Sequence, residues 1–452
     1  MLTPNQLLSH PQVLWAAWTR VKRWYAFSDA PPQPEYAQWV ADPSRHLEWL
    51  GKRLREPDDP LGDREPPPHQ VVSLECPLVP FPKKDAMTRH YVRPGVEAQV
   101  LFAAFGVLLG PMLETAMHPV SFGNRWYRGL YQDKPGDSRK AVWKPRQFLL
   151  EDRDFYQPYR RAYGLFRRVA HWTSRAMLDS QGNTNGHARH RATERIEPTD
   201  YEPSMLPGFV RPEAWRAQQS NSTQPTGYWA EIDLQLAYPS VDLDQLRHRM
   251  QGMLKDKTAE STKPDENPFT RHLDFPKPIR ETLADGNHRA ELVEALCQCL
   301  EGIRYRVDAT MDEEPARPMD LWRPPHASQR LPTEGQEAGE PQVGLPTGLN
   351  ISGLLLNAYL NDLDGHMQRV WSKGDDELEI PPRSVAFIRF ADDMRLLAPN
   401  PDVLLKAIES LWEGICQDAE QAGSKKNPDT NQSAAPVLAR PDQANPSNLR
   451  IN

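Results

Sequence analysis

Cysteine and long apolar runs are both scarce in this sequence of 452 residues. No uninterrupted apolar stretch approaches the roughly 18 residues of a membrane-spanning helix. The start, MLTPNQLLSHPQ, lacks the basic and apolar regions of a signal peptide. The four cysteines form no disulfide framework, and Cys297-x-Cys299 has no second pair to complete a zinc site. We therefore expect a cytoplasmic protein with reduced thiols and no membrane partner.

Proline, in contrast, is abundant: it accounts for 45 of the 452 residues, roughly double the usual share of ~5%. This excess predicts long, irregular loops. Three polar stretches without periodicity are expected to be insertions or mobile loops, namely 181–226, 255–267 and 308–342. The segment from residue 425 to the end is rich in Asn, Pro, Ala and Ser and is expected to be poorly ordered.

The first 70 residues have the apolar spacing of amphipathic helices. Apolar residues recur three and four positions apart from Val13 to Trp24, and again from Leu47 to Leu54. The segment 56–68 contains five prolines and five acidic residues and is typical of a linker. We predict a helical N-terminal extension over residues 1–70.

The net charge of −7 argues against a nucleic-acid partner, but binding depends on how charge is distributed. Residues 121–195 contain 16 Lys and Arg against 7 Asp and Glu, together with 12 aromatic residues. Basic side chains neutralise phosphates, and aromatic rings stack on bases. The alternative interpretation is a solvated helical surface whose aromatic residues lie mostly in the core.

Two acidic sites point to a metal. Residues 384–399 predict a tight hairpin with Asp392 and Asp393 in its middle, and residues 227–233 predict a strand that ends at Asp233. Adjacent carboxylates repel each other and are costly unless they are exposed or hold a cation. If the strand end and the hairpin turn converge, their oxygens could bind a pair of Mg²⁺ ions, which prefer such ligands.

These motifs, in their order, resemble those of reverse transcriptases, most closely the bacterial group II intron, retron and defence-associated (abortive-infection-like) branch. Phe390-Ala-Asp-Asp393 is similar to the Tyr-x-Asp-Asp box, with Phe in place of Tyr. Residues 233–241, DLQLAYPSV, resemble the motif that carries the first catalytic aspartate. Residues 344–348, GLPTG, with the helix after them, resemble the Leu-Pro-x-Gly motif.

Two upstream segments extend the resemblance over most of residues 13–400. Residues 82–89, PKKDAMTR, resemble the fingers strand that meets the incoming triphosphate. Residues 121–125, SFGNR, resemble the Ser-Tyr-Gly-x-Arg signature that comes after the fingers helix.

The resemblance implies an α/β (α+β) right-hand polymerase. Its parts would be the helical N-terminal extension (1–70), basic and aromatic-rich fingers (71–226), and a palm with an antiparallel sheet (227–452). Residues 447–452 resemble the start of the strand that comes after the Asp pair in relatives, where a thumb would follow. We therefore expect that the thumb is reduced or absent, with a shortened chain as the alternative.

The resemblance implies a role for each residue of this sequence that matches a motif of the family. Asp233, Asp392 and Asp393 would be catalytic and hold two Mg²⁺ ions, with Mn²⁺ able to substitute, and the carbonyl of Leu234 would be a further ligand. Tyr238 would be the steric gate that excludes a ribose 2′-hydroxyl. The remaining dNTP contacts would be Lys83, Lys84, Arg89, Ala237, Pro346, Thr347 and Gly348. Arg125 and Phe390 would contact nucleic acid.

The implied function is RNA-directed DNA synthesis from dNTPs on a 3′ or protein hydroxyl, copying a dedicated, structured non-coding RNA in anti-phage defence. Expected partners are this template RNA, the DNA product, and a partner protein or a second copy of the chain. Phe390 lacks the usual hydroxyl and Thr347 replaces the usual Gln, so primer and sugar contacts are expected to differ. Two alternatives stay open: untemplated or protein-primed DNA synthesis, and a non-catalytic RNA-binding scaffold. A generic Mg²⁺ nuclease does not explain Tyr238 or the GLPTG motif.

Overall fold

The fold mixes helices with small sheets. The computed structural model describes residues 1–27, 35–56, 66–82, 88–133, 141–180, 196–215, 227–234, 237–238, 241–255, 263–306, 344–423 and 450–451. Over these residues the helices are α1 (Pro4–Leu8), α2 (Pro11–Phe27), α3 (Tyr36–Ala41), α4 (Pro43–Arg55), α5 (Pro68–Val71), α6 (Val96–Ala116), α7 (Tyr159–Ser180), α8 (Leu243–Leu254), α9 (Lys277–Ala284), α10 (Gly286–Glu301), α11 (Ser352–Tyr359), α12 (Asn361–Lys373) and α13 (Pro401–Gly423).

The strands are short and belong to four sheets within the described residues. They are β1 (Glu75–Pro82), β2 (Thr88–Val92), β3 (Leu130–Asp133), β4 (Val142–Pro145), β5 (Phe148–Leu149), β6 (Tyr228–Asp233), β7 (Leu273–Asp274), β8 (Arg304–Arg306), β9 (Ala386–Phe390), β10 (Asp393–Ala398) and β11 (Arg450–Ile451). The largest sheet has the order β11-β6-β10-β9 and is antiparallel throughout. A second sheet, β2-β1-β8, combines an antiparallel and a parallel pair.

The two N-terminal helices predicted from the apolar spacing are confirmed as α2 and α4, and α1 and α3 are further short helices in this region. Two of the helices begin at capping residues: Thr3 caps α1 with a complete capping box to Gln6, and Asp42 accepts a hydrogen bond from the Arg45 amide at the start of α4. The apolar faces of α2 and α4 are buried, and α2 packs against α6. The boundaries between extension, fingers and palm remain predictions.

Helix α6 forms the centre of the core. It is long and apolar enough to cross a membrane by length and composition, but 94% of its most apolar 18 residues are buried inside the structure. The indole of Trp126 packs against Gly106 and Gly110, one helical turn apart on α6. A Cβ at Gly110 would lie 2.5 Å from Trp126 Cδ2. The two glycines therefore let the chain just after the SFGNR motif pack tightly on the helix.

Most of the predicted insertions lie outside the described residues, including all of 308–342. Residues 196–215 form short 3₁₀ turns, and residues 263–267 form turns before β7. Near the end of the chain, β11 pairs with β6, opposite Glu231 and Ala230. Among the described cysteines, Cys76, Cys297 and Cys299 are free and buried.

Gly110→Ala should lower the free energy of unfolding by about 1–3 kcal/mol, because the added methyl group overpacks a buried ring. Gly164→Ala is the matched control, since a Cβ at Gly164 of α7 meets nothing within 4 Å. That variant should raise stability by up to about 1 kcal/mol through helix propensity. Urea unfolding measures both, and equal effects would contradict the packing described for Trp126.

Candidate functional site: a carboxylate turn beside a glycine-rich loop

The predicted hairpin is confirmed as β9 and β10. Phe390 pairs with Asp393, so Ala391 and Asp392 form the two-residue turn. Ala391 has a φ of 57°, the left-handed region that tight hairpin turns use and that alanine enters only at a steric cost. Asp392 is half-buried in this turn, and Asp393 is exposed at the start of β10.

Asp233 lies beside this turn. Strand β6 pairs with β10, and Asp233 is directly opposite Asp393. Opposite residues of an antiparallel pair point to the same face, with Cα atoms about 4.5–5.5 Å apart. The three aspartates predicted from separate motifs therefore lie together at one end of the largest sheet, with Leu234 immediately after Asp233.

The charge of this cluster is mainly negative. Although Asp393 is exposed, desolvation by the surrounding chain, and then the charges of Asp392, Asp233 and Glu231, raise its pKa, whereas Arg395 lowers it. Arg395 itself binds Glu231 at 2.5 Å. The carboxylate oxygens suit a divalent cation, which would offset their repulsion. No group of three or more His, Cys, Asp or Glu in the described part of the chain is already arranged around a metal position, so the carboxylates would have to turn toward a bound ion.

The SFGNR segment lies directly against the turn. It runs alongside β9, with the Phe122 amide donating to the Arg389 carbonyl and the Arg389 amide donating to the Val120 carbonyl, both at 2.9 Å. A Cβ at Gly123 would lie 2.5 Å from the Ala391 nitrogen. Only glycine allows this approach of one backbone to the other.

Asn124 connects the same segment to Tyr238. Its amide Nδ2 donates to the Tyr238 hydroxyl at 3.2 Å, and its backbone has a φ of 53°. A Cβ at Gly353 of α11 would lie 2.6 Å from the Asn124 side chain. The predicted steric gate is therefore held from its hydroxyl end by the loop that also supports the carboxylate turn.

The GLPTG loop adjoins Tyr238 and the fingers strand. The Leu345 amide donates to the Tyr238 carbonyl at 2.8 Å, and the Val92 amide of β2 donates to the Thr347 carbonyl at 2.7 Å. Gly348 has a φ of 112°, and a Cβ there would lie 2.3 Å from the Val92 carbonyl oxygen. Pro346 is buried, and its carbonyl accepts a hydrogen bond from the Ser352 hydroxyl. This loop, Ala237 and Tyr238 thus lie beside one another.

Within the described residues, the structure does not show the remaining predicted contacts at the site. Lys83 and Lys84 lie outside the described residues. Arg89 is in β2, opposite Phe81, and its side chain lies outside the described part. The Arg125 guanidinium binds Glu114 and the carbonyls of His118 and Ser121. Its contact with nucleic acid stays a prediction.

Phe390 contacts aromatic rings of α7. Its ring meets those of Tyr159 and Tyr163 edge-on, with centroids 5.5 and 5.3 Å away. It also lies 5.8 Å from the ring of Phe166. Phe390 is thus packed by helix side chains that belong to none of the sequence motifs.

A buried ion pair beneath the turn was not predicted from the sequence. Arg389 and Asp364 are both fully buried and joined by two hydrogen bonds of 2.7 and 2.8 Å. Arg389 also donates to the Ala391 carbonyl at 3.0 Å and to the Asn357 side chain at 2.7 Å. The Asn357 amide in turn donates to the Gly123 carbonyl at 2.6 Å. A charged residue inside the apolar run of β9 was the available signal.

Comparison of the sequence with protein-family models and with curated proteins gives no match. Among solved structures, the chain is similar to apo telomerase from Candida tropicalis, and to a form of it truncated from the C-terminal domain. The TM-scores are 0.35 and 0.36, each at 11% identity, over 83% and 75% of this chain. The chain spans less than half of those telomerase chains, 45% and 46%. A similarity this coarse carries no argument about activity.

Arg389→Met should destabilise the protein by about 3–5 kcal/mol, because it leaves the Asp364 carboxylate buried without its cation. The double variant Arg389→Met, Asp364→Leu should recover much of that loss, since no unpaired charge remains. Urea unfolding measures both. Glu56→Gln removes the exposed pair with Lys52 and is the control without a measurable effect. A double variant no more stable than Arg389→Met would contradict the stabilising role of the ion pair.

Asp393→Asn should raise the melting temperature at pH 7 in EDTA, because it removes a charge that is disfavoured by desolvation and by the neighbouring carboxylates. A carboxyl whose pKa is raised on folding binds its proton more tightly in the folded state, so stability falls as pH rises through that pKa. The difference from the parent protein should therefore vanish near pH 3. Asp274→Asn, an exposed carboxylate on β7, is the control and should change nothing. A lower melting temperature for Asp393→Asn than for the parent protein at pH 7 would show that the Asp393 charge is not disfavoured in the folded state.

Proposed function

We propose that the protein is an RNA-directed DNA polymerase of the reverse transcriptase type. The observation that carries this proposal is the pairing of Asp233 with Asp393 across β6 and β10, with Asp392 in the adjoining turn. Asp233 and Asp393 are exposed side by side at one end of the sheet, where their hard oxygen ligands are accessible to a large polymeric substrate. In this proposal β6, β9 and β10 belong to the palm, and β1 and β2 belong to the fingers.

Asp233, Asp392 and Asp393 would hold Mg²⁺, with the Leu234 carbonyl as a further ligand. Bound magnesium would supply charge stabilisation for the attacking and leaving oxygens of nucleotidyl transfer. Support comes from the donor chemistry and from the raised pKa of Asp393, to which desolvation contributes most and the charges of Asp392, Asp233 and Glu231 contribute next. A bound cation would offset both effects.

The chain's own residues would position the nucleotide. Tyr238, hydrogen-bonded to Asn124, would lie against the sugar and discriminate against a 2′-hydroxyl. The loop of Pro346, Thr347 and Gly348 would line the pocket, because its backbone is fixed to Val92 and Tyr238. Lys83, Lys84 and Arg89 would bind the phosphates, as the motif resemblance predicts.

The test is incorporation of labelled dNTPs by the purified protein with its co-purifying RNA and Mg²⁺. Asp392→Asn, Asp393→Asn should reduce incorporation by at least about a thousandfold, since metal stabilisation contributes several kcal/mol and each 1.4 kcal/mol is tenfold in rate. Asp274→Asn on β7 is the matched control with full activity. Equal incorporation by the parent and the double variant would refute the assignment of the carboxylates.

Sequencing the product separates the remaining hypotheses. DNA complementary to the bound RNA supports templated synthesis and identifies the template, including the dedicated non-coding RNA proposed for anti-phage defence. Homopolymeric or random DNA that persists without RNA supports untemplated synthesis. RNA binding without any DNA product supports the scaffold alternative.

A further inference from the structure

Helix α7 covers the face of the largest sheet that carries the aspartates. Asp393 and Arg395 lie on one face of β10, and the Arg395 guanidinium lies over the rings of Phe166 and Trp229, at 4.9 and 5.5 Å from their centroids. At the far end of the helix, Met177 fills the space next to Gly227, just before β6. The buried side of α7 thus runs along the sheet from the turn toward the start of β6.

The opposite side of α7 is exposed and cationic. Arg160, Arg167, His171 and Arg175 are exposed at spacings of seven, four and four residues, and therefore form one stripe. At ~1.5 Å per residue the stripe is about 22 Å long. The helix contains no acidic residue before Asp179. Arg175 pairs with Asp179 and Glu197, whereas Arg160 and Arg167 have no carboxylate partner among the described residues.

The stripe begins at an open aromatic ring. Tyr159 stacks on Tyr163 with an interplanar angle of 9° and a centroid distance of 5.4 Å, and Tyr163 contacts Phe390. Tyr159 is 64% exposed although it is the outer ring of this stack. The outer face of the Tyr159 ring is exposed beside the carboxylate turn, two residues in sequence from Arg161. An exposed aromatic face in a cationic surface can stack on a nucleobase.

We propose that the outer side of α7 binds a single-stranded nucleic acid, with a base stacked on Tyr159 and phosphates bound by Arg160 and Arg167. Charge complementarity favours a nucleic acid, because the stripe contains guanidinium groups at repeated intervals and ends at one exposed aromatic ring. An apolar groove would instead favour an apolar partner. The inference rests on the proposed function, since it places the strand beside the turn where synthesis would occur.

The test is equilibrium binding of labelled oligo(U) and oligo(dT), each of about 12 nucleotides, a length within known single-strand site sizes. The assay contains EDTA and no dNTP, so binding can succeed even if incorporation fails, and the two proposals fail separately. Comparison of the two oligomers shows whether the bound strand is RNA or DNA, and either result supports the proposal.

The double variant Arg160→Gln, Arg167→Gln should bind the oligomers more weakly. The slope of log affinity against log salt concentration should decrease by about one for each arginine removed. Arg271→Gln, an exposed arginine elsewhere, is the control with unchanged affinity and slope. Unchanged binding and slope in the double variant would overturn the proposal. Equal competition by poly-glutamate would also overturn it and assign the surface to an acidic protein.

Tyr159→Ala should weaken binding by about 5- to 100-fold, the loss expected for one base–aromatic stack. It should also abolish the fluorescence quenching of a 2-aminopurine base in the oligomer, a signal that a purely structural role would not affect. Tyr159→Phe keeps the ring and should behave as the parent, and Trp15→Ala removes another exposed aromatic residue, far from α7 in the sequence, as control. Quenching that persists in Tyr159→Ala would overturn the stacking assignment.

Discussion

The buried pair of Arg389 and Asp364 is the interaction on which the candidate site depends. Two charges without solvent are stable only when their hydrogen bonds are satisfied, and here Asn357 and the Ala391 carbonyl take up the other donors. This requirement fixes the end of β9 relative to α11 and α12 and holds Ala391 in its strained left-handed conformation. The position of Asp392 and Asp393 is a consequence of it.

A second constraint, the close approach of residues 121–125, connects this turn to the predicted nucleotide pocket. Gly123 contacts the turn backbone, and Asn124 binds the Tyr238 hydroxyl. Tyr238 in turn binds the GLPTG loop, which is fixed to β2 through Val92. The carboxylate turn, the proposed gate and the proposed fingers strand are thus joined by a close backbone contact and by hydrogen bonds, so we expect a displacement of one to shift the others.

The sequence predicted the parts of the site that depend on local pattern. Alternation predicted the β9–β10 hairpin, and the motif order predicted that Asp233 would join it. It did not predict the pair of Arg389 and Asp364, because their contact depends on helix packing across 25 residues of chain. Residues 121–195 were predicted as a basic, aromatic-rich part of the fingers, with a solvated helical surface over core aromatic residues as the alternative. In α7, Phe166 and Trp172 are buried while Arg160 and Arg167 are exposed, which fits that alternative, and nucleic-acid binding stays a proposal.

The most direct test of the proposed polymerase site is the position of metal ions in a crystal grown with Mn²⁺ and a non-hydrolysable dNTP, located by anomalous scattering. Manganese should lie between Asp233 on β6 and the Asp392–Asp393 turn, with the nucleotide between Tyr238 and the GLPTG loop. Manganese absent from that position while the nucleotide is bound, or bound only elsewhere, would contradict the assignment of a two-metal polymerase site.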